Sequence, residues 1–324
     1  MKRARIACRR GVVARQANAL AQRGAAIVLA MLMAALAATI AATLLWQQQR
    51  WINDTEHRRN QVQAQALAMA GVQWARQIVF ETAPANAPTH LGQPWALRLP
   101  GIPLENGSIS GYITDAQARI NVNNLALGST QAGTRAALDR LLAALSLPPT
   151  LANAITDWVD NDSQVSEPGG AEDAWYLSQS VPGLSANAPV RRTSELLAVR
   201  GLRAQPVVLE RLRPFVTALD APSPVNVNTA DAQVLSAITG LDRTAALALV
   251  AQRTQKPFSS VADFRARLPR PDVVVDETSV DVRSNWFEVT IEAHQGDTMA
   301  RARALLHRAT NASDWPSVVW QTVE

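Results

Sequence analysis

Residues 157 to 176, "DWVDNDSQVSEPGGAEDAWY", bring together Asp157, Asp160, Asp162, Glu167, Glu172 and Asp173 without a lysine or arginine among them. So dense a set of carboxylates repels itself, and Ca2+, a hard cation that takes several oxygen ligands in flexible geometry, is the economical way to neutralise it. The turn Pro168-Gly169-Gly170 lets the chain fold back, so Glu172 and Asp173 are expected to approach Asp160 and Asp162. Trp158, Trp175 and Tyr176 flank the loop as anchors. The spacing is not that of an EF-hand: counted from Asp160, the glycine position holds Val165, the final ligand position holds Ala171, and Glu172 falls one place late. The competing reading is a solvated acidic loop in which Asp157 caps or ends a helix.

Paired carboxylates and a metal can also activate water. No phosphate-binding loop, nucleophile elbow or general-base histidine accompanies them, and His57, His90, His294 and His307 are scattered without ligand spacing. The only cysteine, Cys8, lies near the N-terminus, so a later disulfide or thiolate metal site is excluded. The chain reads as a non-enzyme.

The elements that must carry the acidic loop begin with a charge asymmetry. The formal charge is +4, yet seven basic residues and no acid precede residue 25, which leaves about −3 for the rest. Residues 25 to 46, "AAIVLAMLMAALAATIAATLLW", carry no charge and, at about 1.5 Å per residue, cover the roughly 30 Å hydrocarbon core. With the basic leader on the cytoplasmic side, everything after residue 46 is expected outside the cytoplasm. "ALA" at 35 to 37 fits ordinary signal peptidase. "QRG" followed by "AAIVLAMLM" instead resembles the type IV prepilin and pseudopilin signal, which implies a dedicated peptidase cutting between Gly24 and Ala25, with a methyl group possible on Ala25. The fifth mature residue in that superfamily is usually glutamate, and here it is Leu29.

Beyond the apolar segment Val62, Ala66, Ala70, Trp74 and Ile78 step by four, which predicts one long helix whose second half packs on a domain, ended by Pro84 and Pro88. "WALRLP" and "GSISGYITDAQARINV" predict strands. Near the C-terminus Phe287, Val289, Ile291 and Ala293 alternate with Glu288, Thr290, Glu292 and His294, "QGD" turns the chain, and Ala300, Ala302 and Ala304 alternate with arginines, an antiparallel hairpin with one buried face. The last stretch, "NASDWPSVVWQTVE", reads as a loose tail.

Residues 126 to about 275 read as helices that split this sheet, and they repeat: "RINVNNLALGS" precedes "LDRLLAALSLPPTLANAITDW" much as "PVNVNTADA" precedes "VLSAITGLDRTAALALVAQR". Asn121, Asn123, Asn226 and Asn228 are expected to bond the local backbone at strand-to-helix turns. The second copy resembles a helix-hairpin-helix, in which backbone N–H groups meet a phosphate, but its hairpin is Gly240-Leu241-Asp242, with a carboxylate where the family has a second glycine. The first copy has Ser146-Leu147-Pro148 and offers no phosphate nest. A membrane-tethered DNA receptor is the alternative function; packing or partner contact is the reading preferred for both copies.

Taken in order, the leader ending at Gly24, Leu29, the long helix, "ARINVNNL", "TDWVDND", "SELLAVRGL" and "VNVNTA" resemble the K family of type II secretion minor pseudopilins over essentially the whole chain. The resemblance implies an α+β fold: a long N-terminal hydrophobic helix packed on a small antiparallel pilin-like sheet, with a large all-helical insertion of two SAM-like, helix-hairpin-helix-like units between strands. It divides the chain into a leader (1–24), a transmembrane part (25–46), a pilin-like first part (47–125), a first helical unit with the acidic loop (126–220), a second unit (221–275), and C-terminal strands with a tail (276–324). It further implies structural Ca2+ on Asp160, Asp162, Glu172 and Asp173, with Asp157 and Glu167 as further candidates. The protein would be a single-pass component of a Gram-negative inner membrane with its C-terminal domain periplasmic, at the tip of a short pseudopilus that exports folded proteins. Its partners would be the I and J minor pseudopilins, other pseudopilins, inner-membrane secretion components and the prepilin peptidase, with no nucleic acid.

Overall fold

The structure is a computed structural model that describes residues 4–126, 128–203, 205–309 and 314–324, with 4–25, 128 and 129 described in backbone only. The predicted cleavage point between Gly24 and Ala25 therefore lies outside the described side chains. Two compact units are distinguished, Met1–Val62 and Gln63–Glu324.

Helix α1 (Ala4–Thr82) belongs to both. From Ala26 onward it is long and apolar enough to cross a membrane, and its large apolar side chains between Ile27 and Trp46 are exposed, Leu29 among them. Within the second unit the buried stripe of α1 is Ala64, Ala68, Val72, Ala75 and Val79. This corrects the stripe read from the sequence: Val62, Ala66, Ala70 and Trp74 are exposed and Ile78 is half-buried. A strict step of four advances about 400° and drifts around the helix, whereas the observed steps of four, four, three and four hold the 3.6-residue period. Small side chains let the helix lie close to the sheet. A Cβ on buried Gly71 would stand 2.8 Å from Ile291 Cγ2 and 3.0 Å from Ile109 Cδ1.

The sheet starts with β1 (Leu99–Leu104) and β2 (Gly107–Asp115), an antiparallel pair. The chain then leaves it for the insert, which opens on β3 (Ile120–Asn121) and runs through α2 (Gly128–Ala144), α3 (Thr150–Val159), α4 (Asp173–Leu177) and α5 (Pro206–Leu212) to β4 (Val216–Thr217). A second stretch runs from β5 (Val225–Asn226) through α6 (Ala232–Thr239), α7 (Arg243–Gln255) and α8 (Val261–Ala266) to β6 (Val280–Asp281). The chain returns in β7 (Trp286–Gln295), β8 (Thr298–His307) and β9 (Ser317–Val323). Sheet order is β1-β2-β7-β8-β9, antiparallel throughout. Phe287, Val289, Ile291 and Ala293 are buried against α1 while their alternates are not, as the sequence predicts. The final residues are not a loose tail. Val318 packs on the core and β9 pairs with β8, because its β-branched and aromatic residues meet a ready ladder that a tail would leave unpaired.

The insert is refined in one respect. Each of its two stretches is closed by a short parallel pair, β3 with β4 and β5 with β6; the sequence predicts a strand through β3 and strand-to-helix turns at the asparagines, but not the partner strands β4 and β6 that close the pairs. The asparagines just inside these pairs explain the repeat. Asn123 donates to Val190 O (2.8 Å) and accepts from Val190 N (2.9 Å), and Asn228 does the same with Phe258 O (2.9 Å) and Phe258 N (2.8 Å). Local bonds exist too, Asn123 N to Asn121 Oδ1 and Asn228 N to Asn226 Oδ1. The long-range clasp is the larger part: a buried side-chain amide imitates a strand partner for a residue far along the chain.

The close approach at Gly71 yields a test. Replacement by leucine raises helix propensity at both Gly71 and exposed Ala70 or leaves it nearly unchanged, yet only Gly71→Leu drives side-chain atoms into Ile291. Thermal melts should show Gly71→Leu destabilised by about 1–3 kcal/mol and Ala70→Leu nearly unaffected.

Candidate metal centre

Helix α3 delivers the first carboxylates. Its apolar residues Leu151, Ile155 and Val159 are buried, so the helix is fixed against the core and its last turn aims at the acidic loop. Asp157 lies inside that turn, fully buried, and accepts Ser166 N with both oxygens at 3.2 and 3.0 Å. It therefore folds the loop back on the helix rather than ending the helix. Asp160 is the C-cap, its N–H bonded to Thr156 O at 2.9 Å. The glycine pair makes the return possible: Gly169 has φ +88°, and a Cβ on Gly170 would collide with the Asp157 carboxylate and Ser166 O.

Beyond the turn, Glu172 sits at the start of α4 with its side chain making no capping bond. Asp160, Asp162 and Glu172 converge, each offering one oxygen within 4.8 Å of the others. Asp160 Oδ1 and both Glu172 carboxylate oxygens are buried without a donor among the described residues. Burial, reinforced by the charges of Asp162 and Asp157, pushes the Asp160 carboxyl up to about 6. Burial together with Asp157, Asp160, Asp162 and Asp173 pushes Glu172 up to about 7.

The other predicted ligands are spent on the backbone. Glu167 is exposed and accepts Gly169 N at 3.1 Å; Asp173 Oδ1 accepts Ser185 N at 2.9 Å; Asp157 is held by Ser166. Asp162 keeps one bond, from Gln164 N at 2.8 Å, and still joins the cluster. Trp158 and Tyr176 meet edge to face at 5.1 Å, as do Trp175 and Tyr176 at 4.9 Å, so the aromatic anchors hold the two ends of the loop together. Sequence reasoning missed Arg200. Its Nη1 donates to Gly170 O at 2.8 Å, its N–H to the Tyr176 hydroxyl at 3.1 Å, and its guanidinium covers Trp175 at 5.1 Å. Nothing in the local pattern announces an arginine from outside the loop that braces a carbonyl instead of pairing a carboxylate.

The donor set tests the metal. Three carboxylates with no nitrogen or sulfur suit a hard cation, and ligand distances of about 2.3–2.6 Å around Ca2+ put oxygens on opposite sides about 5 Å apart, which the cluster satisfies. The donorless oxygens are what a cation would complete.

The hairpin between α6 and α7, which meet at 117°, shows the opposite use of a helix start. Gly240 is left-handed at φ +72° and closes α6, and Asp242 caps α7 by accepting Ala245 N at 2.9 Å. The carboxylate takes one of the N–H groups at the helix start and sets a negative charge where a phosphate would lie, which disfavours the DNA reading at this hairpin.

Comparison with known proteins shows what the whole chain is similar to. Two family models, both described as type II secretion system protein K, match residues 118–222 and 225–283. The type II secretion system protein K of Pectobacterium carotovorum is 33% identical over 310 residues, covering 88% of this chain and 92% of the relative. That of Klebsiella pneumoniae is 32% identical over 308 residues, covering 89% and 93%. The solved GspK-GspI-GspJ complex from enterotoxigenic Escherichia coli contains a chain with TM-score 0.73 and 28% identity, over 84% of this chain and 99% of that one.

The raised carboxyls fix the sign of a pH effect in chelator-treated protein. Asp160 and Glu172 hold protons in the folded state at pH values where the unfolded chain, titrating near 3.8 and 4.5, has released them. Their contribution is thus full below those values and is lost as pH rises through about 6 to 7. The melting temperature should fall by roughly 2–5 °C between pH 5 and pH 7.5, and Glu172→Gln should flatten most of that slope.

Proposed function

The chain belongs to the type II secretion system protein K family, and from that membership we propose that it is the tip subunit of the pseudopilus, joined to the I and J minor pseudopilins. Its role as a minor pseudopilin of type II secretion rests on relatives matched over most of their length and on a fold that aligns with nearly all of the GspK-GspI-GspJ complex's corresponding chain. The observation that carries the tip assignment is Leu29. The family's superfamily uses a glutamate at this position of the mature helix to pair with a neighbour's amino terminus, and an apolar side chain makes no such pair. A subunit with nothing above it has no need of the acid, and a large insert between β2 and β7 obstructs addition above it.

The remaining assignments follow from this reading. Prepilin peptidase cuts after Gly24 and leaves Ala25 as the amino terminus, open to methylation. Helix α1 holds the subunit in the inner membrane in a single pass, with the sheet and insert periplasmic. The protein works by shape and contact rather than by catalysis.

Asp160, Asp162 and Glu172 hold Ca2+, which supplies the positive charge that lets three carboxylates share one place. Asp157, through Ser166, and Arg200, through Gly170 O, orient the loop that brings them together. The ion's work is to fix the loop.

Purified from membranes with its partners, the chain should have a mass that begins at Ala25 and should label one end of each pseudopilus. Even labelling along filaments would remove the tip assignment. Calcium at a hundredfold excess over Kd should stabilise the protein by about 2.7 kcal/mol against chelator. Asp160→Ala with Glu172→Ala should abolish the difference, and a wild-type melt indifferent to chelator counts against the ion.

A further inference from the structure

Opposite the face that α1 covers, the outward face of the sheet and both stretches of the insert line a cleft of about 810 Å3. It stands near the upper end of the roughly 300–1,000 Å3 usual for ligand sites, which is room for several side chains rather than one ion. Its lining is strongly basic, with seven arginines against four acidic residues. The chain after residue 24 has a formal charge of about −3, so this concentration runs against the rest of the molecule.

Two of the arginines are already neutralised: Arg119 pairs with Glu288 at 2.6 Å and Arg213 with Glu210 at 3.3 Å. Arg253 is buried and donates to Val227 O. The guanidiniums of Arg98, Arg191, Arg192 and Arg303 have no carboxylate partner among the described residues, and the four residues are exposed; only the backbone N–H of Arg191 meets a carboxylate, Glu195 at 3.3 Å. The neighbouring rungs of the sheet make the contrast plain. Arg301 faces Glu292 across the β8–β7 ladder and pairs with it at 2.8 Å, whereas Arg303 faces Thr290 on one side and Thr322 on the other. Two guanidiniums also lie on aromatic faces, Arg98 over Tyr112 at 4.5 Å and Arg192 over Trp320 at 4.9 Å. Stacking fixes the plane of a guanidinium and leaves its N–H edge open for a bidentate carboxylate.

We propose that this cleft binds a short acidic polypeptide segment, its carboxylates taken by Arg98, Arg191, Arg192 and Arg303 and an apolar side chain set beside Trp320. A peptide supplies both features of the lining at once, separated carboxylates and apolar side chains, where a phosphate ion supplies only charge. A nucleic acid supplies too much of it: a long polyanion extends beyond the cleft onto a body of net negative charge. The assignment depends neither on calcium nor on position in the pseudopilus.

The test uses the full chain in detergent micelles and fluorescence anisotropy of a fluorescein-labelled octapeptide of alternating glutamate and valine. Saturable binding is expected, weakening as salt rises, with Kd raised at least about tenfold in the triple variant Arg191→Glu, Arg192→Glu, Arg303→Glu. The matched control Arg58→Glu, Arg243→Glu, Arg270→Glu should stay within about twofold of wild type. If the first triple variant melts early, the three Arg→Gln replacements serve in its place and should still weaken binding. No saturable binding, equal loss in both triples, displacement by equimolar inorganic phosphate, or tighter binding of an oligothymidylate of the same length would each overturn the proposal.

Discussion

One buried carboxylate fastens the sheet to the second half of the insert. Asp115 closes β2, where the chain leaves the sheet, and accepts Gln117 N at 2.8 Å, Asn226 Nδ2 at 3.0 Å, Thr229 Oγ1 at 2.5 Å and Ser284 Oγ at 2.5 Å. Those donors come from the exit of the sheet, the start of the second insert stretch and the chain's return to β7. Asn226 also donates to Thr89 O, and Thr89 N donates to Val282 O, so the segment after α1 is tied to the same point. Burial pushes the Asp115 carboxyl up, and the four hydrogen bonds oppose that shift. Arg308 is buried beside it, lowered to about 10 by burial with the Asp115 charge acting the other way. An insertion of this size keeps one orientation only if its entry and exit are bonded to each other, and four donors converging on one buried carboxylate meet that demand with more directional specificity than apolar contact.

The insert then repeats the solution on a smaller scale. In each stretch a parallel two-residue pair closes the ends, and an asparagine just inside bonds both backbone groups of one distant residue, Val190 or Phe258. Packing has settled what became of the hairpin. Gly240 keeps the left-handed turn, but Asp242 serves the helix as a cap, and in the first copy Ser146 takes a positive φ of 51° without glycine. What persists in both is the geometry that joins helices; the anion site is what has gone.

How far the sequence reveals this depends on the range of the forces. Alternation in β7 and β8, the apolar stretch of α1 and the repeat were legible, because periodicity and composition act locally. The buried face of α1 is not the step of four that the sequence suggests: apolar residues occur all around that helix, and the sheet takes the stripe Ala64, Ala68, Val72, Ala75 and Val79, which keeps the 3.6-residue period. The strand β9 was hidden by Pro316 and by polar neighbours, since only the exposed edge of β8 gives those residues a reason to extend. In the acidic loop the density of charge was plain, but which carboxylates meet was not. Asp157, Glu167 and Asp173 each find a backbone N–H, and no count of acids forecasts that division.

That division also explains why the cluster is tolerable. Asp157 and Asp173 give their oxygens to Ser166 and Ser185, and these bonds draw the loop tight; the tightening is what forces Asp160, Asp162 and Glu172 together. Repulsion among the three is opposed from outside by the Trp158–Tyr176–Trp175 stack and by Arg200, which bonds the carbonyl of Gly170 and so braces the loop. Left to itself such a site relaxes by taking up protons, which is the direction in which both Asp160 and Glu172 are shifted. As pH rises through about 6 to 7 those protons leave, and the divalent cation we propose for this site would relieve the charge in their place. Packing that enforces proximity thus opposes the charge repulsion that makes proximity costly, and the bonds of Asp157 and Asp173 hold the three carboxylates together against it.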